Sequence, residues 1–316
     1  VSRLVVASQL PELFNSVFAQ HAGDAEIIAV PPGLTAPLPD KTRVLVAAPF
    51  RKAGGVLPAK APSGWPYDVE WVQLVSVGID FYPDWLFDGP VVTSARGSSA
   101  VALAEFALAA ILAEAKRLPD IWIDKAERWA PQQLRLVSGS TLGLVGFGAI
   151  GEALAPRAQA LGLNVIATRR SDQPIPTAGV ERVADLKTLL ARSDHVVLAA
   201  PATPETYKVI NRDVLAHAKP GLHLINIARG ALIDDDALLE VLDNGRVARA
   251  SLDVTHPEPL TEEHPYYTHP KVRLSPHTSV HTPDTRINLA TRFAENLARF
   301  RSGAPLADVV DLSRGY

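Results

Sequence analysis

The segment "LVGFGAIGEALAPRAQALGLNVIATRRS", Leu144 to Ser171, decides the fold. It closes an apolar run, "TLGLV", with a turn through Gly146, Gly148 and Gly151, then runs in a helical pattern, "EALAPRAQALG", into a second apolar run, "NVIAT". A glycine triplet alone marks only a turn; set between a strand and a helix it is the fingerprint of a dinucleotide's pyrophosphate site. The first glycine makes the tight turn, the second lets backbone N–H groups approach the pyrophosphate, and the third allows close helix packing. The candidate pyrophosphate contacts are Gly146, Gly148, Ala149, Ile150 and Gly151. Pro156 lies early in the helix and is expected to limit or kink its first turns.

The far end of the segment bears on which nucleotide binds. An NAD site of this kind carries an acid about twenty residues past the glycines, which accepts hydrogen bonds from the ribose and would repel a 2′-phosphate. Here the strand delivers Thr168, Arg169, Arg170 and Ser171. Two guanidiniums and two hydroxyls suit a dianionic phosphate, so NADP is the expected cofactor. In the alternative, both arginines are solvated and Asp172, after a small shift of register, bonds the ribose of NAD.

Similar strand-to-helix alternation fills the rest of the chain. Before the segment come "RLVVAS", "AEIIAV", "RVLVAA" and "VQLVSVG"; from it onward come "TLGLVGFG", "NVIATRR", "HVVLAAP", "HLINIAR", "RASLDVT" and "VRLSPHT". Alternation of this kind predicts parallel strands with crossover helices, here in two series. The second has the six strands that a doubly wound dinucleotide fold requires. With 316 residues the chain is long enough for two domains. The final helix, capped by Thr282 and Pro283 and ended by Gly303, has no strand of the second series left to serve. It is expected to return to the first domain with Ile287, Ala290, Phe293, Leu297 and Phe300 on one face. The expected division is a smaller flavodoxin-like α/β substrate domain, discontinuous at residues 1–98 and 283–316, and a Rossmann-type α/β cofactor domain at 99–282.

Composition excludes several classes of function. A chain that is 47% hydrophobic and 21% charged is globular rather than disordered, and a net charge of -3 gives no electrostatic case for nucleic acid or an anionic membrane. The absence of cysteine excludes disulfides, thiolate metal sites and a cysteine nucleophile, and fits the expected cytoplasmic location. The start, "VSRLVVASQLPELF", reads as a strand rather than a signal peptide. The apolar run "SSAVALAEFALAAILAEAKRLP" carries Glu105 and Glu114 and reads as a buried helix, not a membrane span. Five histidines between His256 and His281 are interrupted by prolines and lack the spacing of a metal site, so no metal is expected. Tyr267 and Lys271 have the spacing of a short-chain dehydrogenase pair, but Pro270 breaks the helix that would join them.

Three segments carry candidate chemistry: "INIARGALIDDDAL" with Arg229, "SLDVTHPEPL" with Asp253 and Glu258, and "RLSPHTSV" with His277. Each lies at or just beyond the C-terminal end of a predicted parallel strand, the edge at which open α/β sheets bind ligands. There an arginine can hold an anionic substrate, an imidazole can exchange a proton with it, and a carboxylate can orient the imidazole. Taken singly, each also has an ordinary structural use, as a helix cap, a solvated loop residue or a donor to a carbonyl.

In the order and spacing of "GFGAIG", "PATPET", "NIARGALIDDDAL", "LDVTHPEPL" and "SPHTSV", the chain from about Val72 onward resembles the NAD(P)-dependent D-2-hydroxyacid dehydrogenases, nearest the glyoxylate/hydroxypyruvate reductase branch. The resemblance implies an oxidoreductase in which Arg229 binds the carbonyl and carboxylate of a small 2-oxo acid and His277, paired with Glu258, donates the proton. It implies that the backbone amides of Val77 and Gly78 receive the substrate carboxylate, that Pro201 and Asp253 lie at the cofactor, and that the protein is a homodimer. This chain departs from the family after the histidine, where Thr278, Ser279 and Val280 stand in place of the usual glycine or alanine. Arg51, in "APFRKAGG", is a further candidate to reach the substrate. A phosphoglycerate dehydrogenase-type enzyme and a nucleotide-sensing interaction protein on the same scaffold are the alternatives.

Overall fold

The apolar runs become parallel strands, buried on both sides in the middle of each sheet and only partly covered at its edges, as crossover topology allows. In the computed structural model, which describes residues 3–50, 57–170 and 173–315, the chain divides into two units, Val1–Ser99 with Thr282–Tyr316, and Ala100–His281.

The first unit holds a five-stranded parallel sheet. Its strands are β1 (Val5–Ser8), β2 (Glu26–Ala29), β3 (Thr42–Ala47), β4 (Trp71–Leu74) and β5 (Val91–Thr93), in the order β2-β1-β3-β4-β5. This is the flavodoxin-like order. One face is covered by helices α1 (Glu12–His21) and α7 (Pro283–Ser302), which pack on each other. The sequence explains the limits of α7. Thr282 accepts from the N–H of Thr285, Pro283 takes the first turn, and Gly303 closes the helix at φ 71°. Phe293 is fully buried and stacks on Trp71 with ring centroids 5.3 Å apart. Ile287, expected on the same face, is 47% exposed. The apolar stripe of the 20-residue α7 is longer than the 10-residue α1 that covers it, so one end stays bare.

The second unit holds a seven-stranded parallel sheet. Its strands are β6 (Thr141–Val145), β7 (Asn164–Thr168), β8 (Val180–Arg182), β9 (His195–Leu198), β10 (Leu222–Asn226), β11 (Val247–Leu252) and β12 (Val272–Leu274), ordered β12-β11-β10-β9-β6-β7-β8. The order reverses between β6 and β9, the switch point of a doubly wound sheet. Helices α2 (Ala100–Ala115) and α3 (Ala149–Ala160) cover one face; α4 (Leu186–Arg192), α5 (Arg212–Leu215) and α6 (Asp235–Asp243) contribute to the core on the other. Pro156 is accommodated inside a continuous α3 rather than ending it. Strands β5 and β8, three residues each, were absent from the sequence expectation.

Candidate active site

The glycine turn shows which constraint each glycine meets. Gly146 has φ +91° and its N–H donates to Thr168 O at 3.2 Å; a Cβ there would also lie 3.0 Å from the backbone of Ala200. Gly151 packs against Phe147, whose ring would be 2.9 Å from an added Cβ. Gly148, the N-cap of α3, differs: nothing lies within 4 Å of the Cβ position. An open approach to the start of a 12-residue helix, where N–H groups lack intrahelical partners, fits a bound pyrophosphate. Gly143 has a role that its place inside a strand hid, because a Cβ there would meet Ser193 Oγ at 2.3 Å.

At the end of β7, Thr168 and Arg169 are half-buried and Arg170 is exposed. Arg169 Nη1 donates to Pro174 O at 3.0 Å. The charge of Arg170 contributes to holding the Glu205 carboxyl below its ordinary range, after the larger effects of hydrogen bonding from Thr203 and the Glu205 backbone. Ser171 and Asp172, like Arg51, lie outside the described residues. Pro201 begins the loop after β9 and accepts from Thr206 Oγ1 at 2.7 Å, which closes the loop into a turn.

Arg229 follows β10 in an extended conformation. Its carbonyl accepts from Asn226 Nδ2 at 2.8 Å, and Asn226 Oδ1 accepts from the N–H of Ala228 at 3.0 Å. The next residue must be glycine, since a Cβ on Gly230 would lie 2.0 Å from the carbonyl carbon of Thr255. This contact brings the Arg229 turn against the loop that carries Glu258.

Glu258 holds that loop and the imidazole together. One carboxylate oxygen accepts from the N–H of Thr255 at 3.1 Å and the other meets His277 Nδ1 at 2.9 Å. An ionised carboxylate only accepts, so Nδ1 carries the proton and Nε2 is the nitrogen on the opposite side of the ring. Burial raises the Glu258 pKa, but the hydrogen bond and charge of His277, the Thr255 N–H and the charge of Arg229 hold it below the usual range. His277 has φ 50°, a left-handed conformation uncommon outside glycine. Its N–H donates to Asp253 O at 2.8 Å and to Ser275 O at 3.0 Å.

Asp253, expected beside the cofactor, directs its carboxylate onto this same loop. Oδ1 accepts from Ser275 Oγ at 2.6 Å and from the Thr278 N–H at 2.9 Å; Oδ2 accepts from the N–H and hydroxyl of Ser279. The structure thus brings Arg229, Asp253, Glu258 and His277 to one edge of the sheet. Asn226, Gly230 and Ser275 belong to the same arrangement and were not singled out from the sequence.

In the first unit, Val77 and Gly78 lie in the loop after β4, with Val77 exposed. Ser76 shapes this loop: its hydroxyl donates to Gly78 O at 2.7 Å and its carbonyl accepts from the Ala95 N–H at 3.0 Å. Among the described residues, no group of His, Cys, Asp or Glu is arranged to hold a metal ion, and no helix is long and apolar enough to cross a membrane.

Residues 108–279 match the family described as D-isomer specific 2-hydroxyacid dehydrogenase, NAD binding domain. The chain is 34% identical over 241 residues to the glyoxylate/hydroxypyruvate reductase A of Serratia proteamaculans, covering 74% of this chain and 75% of that protein. It is 33% identical over 229 residues to the D-3-phosphoglycerate dehydrogenase of Archaeoglobus fulgidus, a match that covers 71% of this chain and 43% of the relative. The crystal structure of a D-isomer specific 2-hydroxyacid dehydrogenase from Xanthobacter autotrophicus, in complex with NADPH and MES, superposes with a TM-score of 0.82 at 26% identity, over the whole of both chains.

Proposed function

The chain belongs to the D-isomer specific 2-hydroxyacid dehydrogenases, oxidoreductases that act on CH–OH donors with NAD(P), and on that premise we propose that it reduces a small 2-oxo acid of the glyoxylate and hydroxypyruvate class with NADPH. The observation that carries this reading is the 2.9 Å contact of Glu258 with His277 Nδ1, next to the Arg229 turn.

NADPH, when bound, supplies the hydride for the carbonyl carbon. The chain does the rest. Arg229 grips the carboxylate and polarises the carbonyl through its planar fork, and His277 delivers a proton from Nε2 to the carbonyl oxygen. Glu258 fixes the ring through Nδ1 and stabilises the imidazolium before transfer. The proposed contribution of the first unit is a pair of backbone N–H groups, those of Val77 and Gly78, for the substrate carboxylate. Arg169 and Arg170 favour the 2′-phosphate, and the open approach to Gly148 receives the pyrophosphate, with Ala149 and Ile150 beginning the helix.

The same reading gives a cytoplasmic homodimer. The segment after α2 leaves Trp122 at 68% exposed, Trp129 at 81% and Leu136 at 79%, an apolar surface suited to a second copy. The test of function is NADPH consumption with glyoxylate, hydroxypyruvate, pyruvate, 3-phosphohydroxypyruvate and bulkier 2-oxo acids. Preferred turnover of the first two is expected. Preference for the phosphorylated acid would assign the phosphoglycerate branch, and turnover of none would overturn the reading.

A further inference from the structure

Two buried polar residues stand at the ends of adjacent strands. Asn226 ends β10 and is fully buried; Asp253 follows the last residue of β11 and is 1% exposed. Each turns its side chain forward onto the next loop. Asn226 uses its amide N–H on Arg229 O and its amide oxygen on the Ala228 N–H. Asp253 uses both carboxylate oxygens on Ser275, Thr278 and Ser279, and its carbonyl on the N–H of His277. The two are joined by the Asp253 N–H, which donates to Asn226 O at 3.0 Å.

The carboxylate of Asp253 therefore has two donors on each oxygen, about its full acceptor capacity. What it grips is the segment on both sides of His277, and that grip holds the left-handed backbone of His277 in place. The Ser279 hydroxyl in this grip stands at one of the positions where the chain departs from the glycine or alanine usual after the histidine. Arg229 and His277 are thus held through the side chains of Asn226 and Asp253, whose hydrogen bonds go to the Arg229 turn and to the loop around His277.

We propose that Asn226 and Asp253 act as a linked pair of positioning residues that fix Arg229 and His277 relative to each other, an inference that rests on the dehydrogenase reading for its kinetic consequences. The halves of the pair act on different parameters. Loosening Asn226 disturbs the substrate anchor and raises KM for the 2-oxo acid. Loosening the Asp253 grip disturbs the proton donor and lowers kcat.

The Ser275→Ala/Ser279→Ala double variant removes two donors while keeping the charge of Asp253, so it tests position rather than field. With NADPH and glyoxylate, kcat is expected to fall about ten- to hundredfold, within the range that misplaced catalytic groups cost, while NADPH affinity stays within about twofold. Asn226→Ala is expected to raise the KM for glyoxylate about tenfold with a smaller loss of kcat. A third readout needs no substrate: the rate of carbethoxylation of His277 by diethylpyrocarbonate at one fixed pH, followed by peptide mass. In the double variant it should rise severalfold as the loosened loop frees the ring from its contact with Glu258. If the wild-type protein turns over no 2-oxo acid, the dehydrogenase reading fails, and the carbethoxylation rate alone decides the positioning role. An unmoved rate with unchanged kcat overturns the proposal. So does a loss of NADPH affinity with kcat intact, which would make Asp253 a cofactor contact.

Discussion

At the C-terminal edge of the seven-stranded sheet, His277 meets a carboxylate and its side chain stays about one-fifth exposed; toward the N-terminal end of the same sheet, His195 and His223 meet each other and are buried. The buried pair lies in register on neighbouring strands, with Nδ1 atoms 3.4 Å apart, and His223 Nε2 contacts Ser251 Oγ at 2.9 Å. Only one proton fits between two such nitrogens, so the pair is a neutral donor and acceptor. Burial dominates there and pushes the His195 pKa down to about 4, partly opposed by Asp194 and Glu114; His223 is also held well below the usual range by burial, by His195 and by the charges of Arg249 and Arg135. One side chain thus serves as a packing element at one end of the sheet and as a proposed proton donor at the other. Burial on one side, and a direct carboxylate contact with part of the ring exposed on the other, decide which.

The contrast can be broken most directly at the functional end. His277→Ala should lower turnover of the 2-oxo acid by roughly a hundred- to ten-thousandfold, the range for losing a general acid. Near-normal turnover by this variant would remove the distinction between the two edges.

The buried end gives the next largest effect, on stability rather than rate. Unfolded histidines take up protons near pH 6.5, whereas folded His195 resists until about pH 4, so the folded state binds fewer protons between these values. The contribution of neutral His195 is therefore complete above about pH 6.5 and is lost as pH falls toward 4, on the order of 3 kcal/mol. Denaturant titrations across this window should show a steep acid limb in the wild type and a shallower one in His195→Gln. Parallel limbs would show that burial of the pair carries no acid sensitivity.

Glu258→Gln sharpens the comparison by removing the carboxylate and leaving the shape. The amide no longer offers an ionised acceptor to His277 Nδ1, so kcat should fall about tenfold with the KM for the 2-oxo acid within about twofold. In steady-state kinetics, an unchanged kcat would show that Glu258 serves only the loop, through the Thr255 N–H.

The smallest effect is expected at the end of β7. Arg170 is exposed and Arg169 already donates to Pro174 O, so replacing both with alanine should cut the preference for NADPH over NADH by about fivefold, through NADPH affinity and in a salt-sensitive way. Equal use of both cofactors by the wild type would shift the assignment to Asp172.

What was legible in the sequence follows from how each signal is encoded. The glycine turn, the two strand series and the Arg229, Glu258 and His277 segments could be read because spacing and residue type carry them. Strand β8 could not, because its residues are only partly buried or exposed and form no apolar run, and β5 could not, because its three residues are followed by no motif of the kind that marks the equally short β12. The identities of Asn226, Asp253 and Ser275 were visible, but the direction their side chains take depends on loop backbone angles. The same is true of Gly230, whose constraint comes from a neighbour twenty-five residues further along the chain. The two buried histidines sit at the starts of apolar runs, and only strand register puts them face to face.

The split construction of the first unit has a consequence for synthesis of the protein. The face formed by Val6, Phe18 and Trp71 is covered by Leu289, Phe293 and Leu297, from the opposite end of the chain. A ribosome adding about 5–20 residues each second needs roughly ten to forty seconds to get from one set to the other. During that time the nascent amino-terminal segment carries an uncovered tryptophan and phenylalanine while the intervening unit emerges and folds. Completion of the first unit is thus tied to the synthesis of residues 289–297, and a chain stopped short of residue 289 would carry a folded second unit attached to an adhesive, unfinished first one.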